Sequence, residues 1–188
     1  MPAYAFDGNI PVVSQGSYVH PSAVLIGDVI IGENCYVGPL VSLRGDLGQV
    51  KIDHDSHIQD NCVIHADEGG RVHVGSHCHI AAGSVLYNCT LGRRCFIGMG
   101  SVILDRAIIG QQSMVSPASH VQAGFNGTES QLLAGNPAYP CGAVTMATLY
   151  ARQQADQRYR ELVIRARHTL QEVDPLSTVA HRHHRASL

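Results

Sequence analysis

Aliphatic residues recur at every sixth position from Val19 to Val121. The interval of six is three residues longer after Leu43 and four residues longer after Ile64, and it is one residue shorter after Leu86. A period held over this length is an internal repeat, which predicts small structural units stacked one on the next. The aliphatic positions are Val19, Leu25, Ile31, Val37, Leu43, Ile52, Ile58, Ile64, Val74, Ile80, Leu86, Leu91, Ile97, Ile103, Ile109, Val115 and Val121.

The residue four positions after each aliphatic is nearly always small or β-branched. Two inward positions in every six residues predict short strands joined by tight corners, wound as a triangular solenoid with three hexapeptides in each coil. We expect the glycines that directly follow an aliphatic, such as Gly98 and Gly110, to serve a tightly turning backbone. The small positions are Ala23, Val29, Cys35, Val41, Ser56, Cys62, Cys78, Ser84, Thr90, Cys95, Ser101, Ala107, Ser113 and Ser119. The four cysteines among them are predicted to be small hydrophobic core residues.

The repeat and its surroundings divide the chain into five segments. We expect an N-terminal lead-in over 1–18, the solenoid over 19–125, a turn-rich connection over 126–143, a C-terminal helix over 144–174 and a flexible tail over 175–188. Two insertions, Gly45 to Lys51 and Ala66 to Arg71, interrupt the repeat and are predicted to be surface loops, where functional residues are common.

Composition narrows the classes of function. The formal net charge of −2 gives no electrostatic basis for binding nucleic acid. No apolar run is long enough for a membrane span, and residues 1–8 show no signal peptide, so we expect a cytoplasmic protein. The six cysteines form no CxxC pair, which argues against a disulfide framework or a zinc-binding framework.

The repeat register places three polar residues in one column. Leu43, Ile64 and Leu86 are each second in successive coils, so the residues that follow them, Arg44, His65 and Tyr87, should point outward about 4.8 Å apart. We place Gln59 on the preceding face of the same coil as His65. Two interpretations of His65 remain open: a histidine satisfied by hydrogen bonds at a subunit interface, or a general base or metal ligand.

Several short segments resemble the γ-class carbonic anhydrase family. They are Leu43-Arg44-Gly45-Asp46, Ile58-Gln59-Asp60-Asn61, Ile64-His65, Leu91-Gly92, Ile97-Gly98-Met99-Gly100 and Ile109-Gly110. Within that family the chain is most similar to the branch of the phenylacetate-degradation protein PaaY and the carnitine-operon protein CaiE, through the segments 19–29, 60–65 and 169–176. The resemblance implies an all-β solenoid, a left-handed parallel β-helix of hexapeptide repeats with a C-terminal α-helix.

The resemblance also implies a homotrimer with a divalent metal held by three histidines at each subunit interface. By position His65 is the first ligand, but the other two positions hold Ala82 and Tyr87. Alanine cannot bind a metal and tyrosine is a rare zinc ligand, so we expect neither zinc nor carbonic anhydrase activity. No cofactor is predicted beyond a weak divalent metal at His65, and whether His57, His73, His77 or His79 rebuild a metal site is left open.

The branch resemblance implies a hydrolase acting on an acyl-CoA or related small thioester, with CoA as part of the substrate. We expect His65 to be the general base, with Tyr87 or Gln59 binding the developing oxyanion. By position, Arg44, Asp46, Asp60 and His57 are the substrate-binding candidates. Two alternatives remain: a metal-independent lyase, cyclase or acyltransferase recruited to the same interface, and a non-catalytic trimeric scaffold or ligand-binding protein.

Overall fold

The computed structural model describes residues 1–175, so the tail predicted at 175–188 lies outside the described residues from position 176 onward. A parallel β-solenoid is followed by one helix, α1 (Met146–Thr169). The strands, numbered along the chain, are β1 (Ala3–Tyr4), β2 (Val12–Val13), β3 (Tyr18–Val19), β4 (Val24–Ile31), β5 (Tyr36–Val37), β6 (Ser42–Ile52), β7 (His57–Ile58), β8 (Val63–His65), β9 (Arg71–Val74), β10 (His79–Ile80), β11 (Val85–Tyr87), β12 (Thr90–Leu91), β13 (Phe96–Ile97), β14 (Val102–Ile103), β15 (Ile108–Ile109), β16 (Met114–Val115), β17 (His120–Val121), β18 (Gln131–Gly135) and β19 (Ala138–Ala143).

Parallel pairing stacks these strands into three faces. The first face runs β3-β5-β7-β10-β13-β16-β18, with β19 antiparallel at its end. The second face runs from β1 through the N-terminal halves of β4 and β6 to β8, β11, β14 and β17. The third face runs from β2 through the C-terminal halves of β4 and β6 to β9, β12 and β15. The predicted left-handed parallel β-helix is confirmed.

The interior contains the two predicted positions of each hexapeptide. The aliphatic positions from Leu25 to Val121 are almost entirely buried, whereas Val19, at the open end, is only partly buried. One small position was assigned wrongly. Thr90 is half-exposed and Cys89 is buried in its place, because the missing residue before Leu91 moves the inward position back by one.

The glycines after the aliphatics have a different role from the predicted one. Neither Gly98 nor Gly110 has a positive φ. A Cβ at Gly98 would lie 2.4 Å from the backbone nitrogen of Pro117, and one at Gly110 would lie 2.2 Å from the Thr128 carbonyl oxygen. These glycines therefore allow successive coils to stack closely, and the turning is done by other corner residues.

The first insertion is not a surface loop. Gly45 to Lys51 belongs to β6, which bends from the second face to the third and pairs with β4 on both sides of a register shift, through Gly45 and through Val50 and Lys51. Its C-terminal half also pairs with β9, with Gln49 opposite Arg71. Strand pairing at both ends of the segment explains why this glycine-rich stretch is extended. The second insertion forms a turn between β8 and β9.

Helix α1 lies against the first face, where it contacts β3 and β5. It begins after Thr145, whose side chain accepts a hydrogen bond from the backbone nitrogen of Thr148, and it buries Val163. It ends at Thr169, before Asp174 and Pro175, because Leu170 is already extended. The helix therefore covers one face of the solenoid and leaves the other two open in the single chain.

Candidate functional site

Three polar side chains stack in register on the second face. Arg44 pairs with His65 across β6 and β8, and His65 pairs with Tyr87 across β8 and β11. The predicted column is confirmed. The His65 and Tyr87 rings lie 5.5 Å apart between centroids with a tilt of 31°. His65 keeps 23% of its side chain exposed, so the column faces outward while remaining partly shielded.

Asp46 links Arg44 to His65. The Arg44 guanidinium donates to one Asp46 carboxylate oxygen from Nη2 at 2.9 Å and from Nε at 3.2 Å. The other carboxylate oxygen lies 3.9 Å from His65 Nε2. Burial acts to raise the pKa of Asp46, but the hydrogen bonds and charge of Arg44 outweigh it, and the pKa lies below its ordinary value. Arg44 and Asp46 together therefore place a negatively charged carboxylate beside the His65 imidazole.

His65 Nε2 is buried and has no hydrogen-bond partner within the described residues. A buried imidazole nitrogen without a partner is uncommon, because each such atom loses its bond to water without replacement. This nitrogen can accept a proton from a bound water or substrate, and Asp46 is placed to stabilise the resulting imidazolium.

Tyr87 is held by the second insertion. Its hydroxyl donates to Asp67 Oδ2 at 2.7 Å, and the Asp67 backbone nitrogen donates to Asn88 Oδ1 at 2.9 Å. The Tyr87 hydrogen bond lowers the pKa of the Asp67 carboxyl, and the same bond raises the pKa of Tyr87. Sequence reasoning missed Asp67, although its place in the acidic insertion beside His65 was a usable signal.

A second aromatic group lies on the first face beneath α1. Tyr159 of the helix has its ring 5.2 Å from His57 and 4.8 Å from His79, and its hydroxyl contacts the Gln59 amide. Gln59 also accepts a hydrogen bond of 3.0 Å from the Ala82 backbone nitrogen. Within one chain, Gln59 and His57 are thus held against the helix. Asp60 is exposed at the next corner.

The histidines beneath α1 are buried and electrically neutral at pH 7. Burial, reinforced by nearby cationic groups, lowers the pKa of His57 to about 3 and that of His79 to about 4. Neither ring nitrogen of His57 has a hydrogen-bond partner among the described residues. A substrate could contact His57 only if α1 moved, because 1% of the residue is exposed.

The side chains of the second-face column do not fit a zinc ion. At the three ligand positions that the resemblance implies, the chain has the His65 imidazole, the Tyr87 hydroxyl bound to Asp67, and Ala82 without a donor. One imidazole does not replace the water shell of zinc, which needs three or four nitrogen, sulfur or oxygen ligands. Of the other histidines, His73 contacts Asp53 on the third face, and His77 lies near His54 and Asp55 at a corner.

Comparison with known proteins agrees with the fold. Residues 11–45 match the family described as bacterial transferase hexapeptide (six repeats). The carnitine operon protein CaiE of Salmonella agona is 45% identical over 95% of this chain and 90% of its own length. CaiE of Escherichia coli K12 is 45% identical over 94% of this chain and 90% of its own length. The chain belongs to the CaiE family of γ-carbonic-anhydrase-like hexapeptide-repeat proteins.

Among solved structures, a hexapeptide transferase family protein from Anaplasma phagocytophilum superimposes with a TM-score of 0.83 at 31% identity. The match covers 87% of this chain and 96% of that protein. The CaiE-like chain is thus related to the hexapeptide transferases. Among residues 1–175, no helix combines the length and apolar character that crossing a bilayer requires.

Proposed function

We propose that this CaiE-like protein is a homotrimeric hydrolase that cleaves an acyl-CoA or a related small thioester at the subunit interface. The observation that carries the proposal is His65 Nε2, which is buried, has no hydrogen-bond partner among the described residues and lies 3.9 Å from the Asp46 carboxylate. A general base needs a free nitrogen and a group that stabilises its protonated form, and His65 has both.

In the proposed step His65 accepts a proton from a water molecule while the water oxygen attacks the thioester carbonyl. The carbonyl oxygen becomes an oxyanion, to which the Tyr87 hydroxyl can donate once it turns from Asp67. The carbon–sulfur bond then breaks and the thiolate takes the proton from His65, which leaves a carboxylic acid and a thiol. In this proposal His65, Asp46 and Tyr87 supply the chemistry, and no step requires a metal.

The trimer is proposed from the surface of the second face. An outward row in register on this face contains Val24, Ser42, Val63, Val85, Val102 and His120, and four of the six are valines. The corresponding row on the third face is Val12, Ile30, Lys51, His73, Thr90 and Ile108, so its aliphatic side chains lie only at the two ends, and the first face is covered by α1. Val63 is 40% exposed in the single chain. An apolar row beside the polar column favours contact with another subunit.

The neighbouring subunit completes the proposed pocket. Gln59 and the Ala82 backbone are linked at the corner between the first and second faces. The family resemblance implies that two of the three ligand positions come from one subunit and the third from its neighbour. Because His65 and Tyr87 stack within one chain, we assign the Ala82 position to the neighbour, so Gln59 of that subunit would face His65. Arg44, Asp46 and Asp60 are proposed to contact the substrate in the same pocket.

The test combines oligomeric state with turnover. The purified protein is incubated with a panel of acyl-CoA thioesters, and thiol release is followed with a chromogenic disulfide, with and without EDTA. We expect turnover that EDTA does not reduce, and a mass by light scattering of three times 20.2 kDa. The variant Val63→Lys should dissociate the trimer and abolish turnover. A monomeric wild-type protein, or no release from any thioester, would refute the proposal.

Acyl transfer is the second candidate, favoured by the likeness to the hexapeptide transferase family protein. The same His65 would then deprotonate an amine or hydroxyl acceptor instead of water. Adding small amines and alcohols to the thioester assay separates the two reactions. Faster thiol release together with an acylated acceptor indicates transfer, whereas an unchanged rate and free acid indicate hydrolysis.

A further inference from the structure

A group of three metal-ligating side chains lies away from the second-face column, at the corner between the third and first faces. The ligand atoms of His54, Asp55 and His77 all lie within 4.8 Å of one another. His54 Nδ1 is 2.8 Å from Asp55 Oδ2, and the rings of His54 and His77 are 5.1 Å apart at 83°. We name this group the corner triad.

Backbone stacking fixes the corner triad across two coils. The His77 backbone nitrogen donates to the His54 carbonyl oxygen at 3.1 Å. Asp55 and His77 occupy equivalent left-handed positions in the two corner turns, with φ of 57° and 58°. The same corner holds Asn34, Arg94 and Gln112 in other coils, also with positive φ. Since the fold accepts such different residues here, the backbone does not require a histidine beside an aspartate.

From this geometry we infer that the corner triad binds a divalent transition metal ion such as zinc. Two imidazole nitrogens and one carboxylate oxygen are a ligand set that suits zinc, cobalt, nickel or ferrous iron, and does not suit magnesium or calcium. Ligand atoms at about 2.0–2.2 Å from a tetrahedral zinc lie roughly 3.3–3.6 Å apart. The widest separation in the triad, at most 4.8 Å, must therefore close by about 1 Å, and the 2.8 Å between His54 and Asp55 must open slightly. His54 can supply this movement, because 55% of its side chain is exposed.

The corner triad is partly exposed and borders a groove beneath α1. Asp55 and His77 line this groove, which has a volume of about 540 Å³ and also contains Arg94, Arg152 and Arg160. The positive charges of Arg94 and Arg160 repel a cation near His77, while the negative charge of the Asp55 carboxylate attracts it. These arginines favour water or a small anion, rather than a further histidine, as the other ligands of the metal.

The inferred metal does not depend on the proposed thioester hydrolysis, because the corner triad and the His65 column lie on different parts of the coil.

The experiment uses the full chain stripped of metal. Zinc binding is measured by calorimetry, cobalt binding by its visible absorption bands, and the melting temperature is recorded with and without zinc. Magnesium is the negative control, and we expect zinc but not magnesium to raise the melting temperature.

The variants are chosen to keep the corner turns folded. His77→Asn and Asp55→Asn retain residue types that tolerate positive φ, and His54→Gln keeps a polar exposed side chain. Losing an outer partner of a metal site costs roughly 10–100-fold in affinity, so losing a ligand should weaken zinc binding by more than about 100-fold. His73→Gln is the matched control, since His73 pairs with Asp53 outside the triad.

The chain has other histidines that can bind metal, so a further set of control variants is needed. His181, His183 and His184 are replaced together by alanine, and His65→Ala is measured in parallel. We expect one zinc ion per chain to persist in both variants and in His73→Gln. Unchanged binding in His77→Asn, or binding lost only in the tail variant or in His65→Ala, would overturn the assignment.

Discussion

Two faces of the same solenoid each place an outward histidine in register with a ring of the next coil, and the surroundings of the two histidines differ. On the second face, His65 pairs with Tyr87, lies 3.9 Å from Asp46 and remains partly exposed. On the first face, His57 pairs with His79, and both are covered by Tyr159 of α1. The strands are equivalent, so the difference arises from what covers each face.

The elements that pack over each face determine the chemistry of its histidine. Burial beneath α1 lowers the pKa of His57 and His79, so these rings act as neutral packing groups. On the second face, Asp46 and Asp67 bring carboxylates to the column, and α1 does not cover the strands. A repeat alone therefore cannot assign a role to an outward histidine, and the elements outside the repeat decide it.

The largest expected effect separates the two histidines by activity. Replacing His65 by alanine should lower thioester turnover about 10²–10⁴-fold, the usual contribution of a general base. The melting temperature and the trimer should change little, because the side chain points away from the core. Steady-state rates and light scattering on the same preparation check both statements. Full turnover would show that the column is not the active site, and a dissociated trimer would show that His65 is structural.

The second effect is on stability, and we expect it on the first face. His57→Ala removes a fully buried ring beneath α1 and should lower the free energy of unfolding by about 2–4 kcal/mol, as for other large-to-small core changes. His57→Leu is the matched control: it fills most of the space and removes two unpaired nitrogens, so it should stay near the wild type. Urea denaturation measures both variants. If His57→Ala and His65→Ala had equal stability, the contrast between the faces would be wrong.

Most of the fold was predictable because the repeat imposes the same physical requirement at each coil. Leu43, Ile64 and Leu86 must be buried, and their register alone places Arg44, His65 and Tyr87 in one column. The errors in assigning buried positions and strands occurred where the repeat is broken. Because one residue is missing before Leu91, the small buried position is Cys89 and not Thr90. The insertion after Arg44 is part of strand β6 and not a loop.

The candidate site was only partly predictable, since its partners come from outside the repeat. Asp67 reaches Tyr87 from an insertion, and Tyr159 reaches His57 and Gln59 from α1, more than ninety residues along the chain. Hydropathy patterns do not report which helix residue meets which strand. The corner triad was hidden for a similar reason, because His54 and His77 meet only when two corners stack.

A smaller effect concerns the hydroxyl of Tyr87. In Tyr87→Phe, turnover should fall roughly tenfold to hundredfold, less than the roughly 10²–10³-fold of a dedicated oxyanion donor, because the hydroxyl must first leave Asp67. Asp67→Asn weakens that competing bond, so this variant should keep or exceed wild-type turnover. Rates at saturating thioester compare the two. If Asp67→Asn lost as much activity as Tyr87→Phe, the carboxylate itself would take part in the reaction.

The smallest effect is the acid sensitivity of the second face. Arg44 holds the pKa of Asp46 below its value in the unfolded chain, so the Asp46 carboxylate contributes stability above that unfolded value. The contribution is lost as pH falls through the lower, folded pKa. Arg44 is 43% exposed, which limits the gain to less than about 1 kcal/mol. Urea denaturation from pH 7 to pH 3 should show wild type and Asp46→Asn converging in acid, with the wild type more stable at pH 7. Parallel curves would mean that the Arg44–Asp46 pair orients His65 without stabilising the fold.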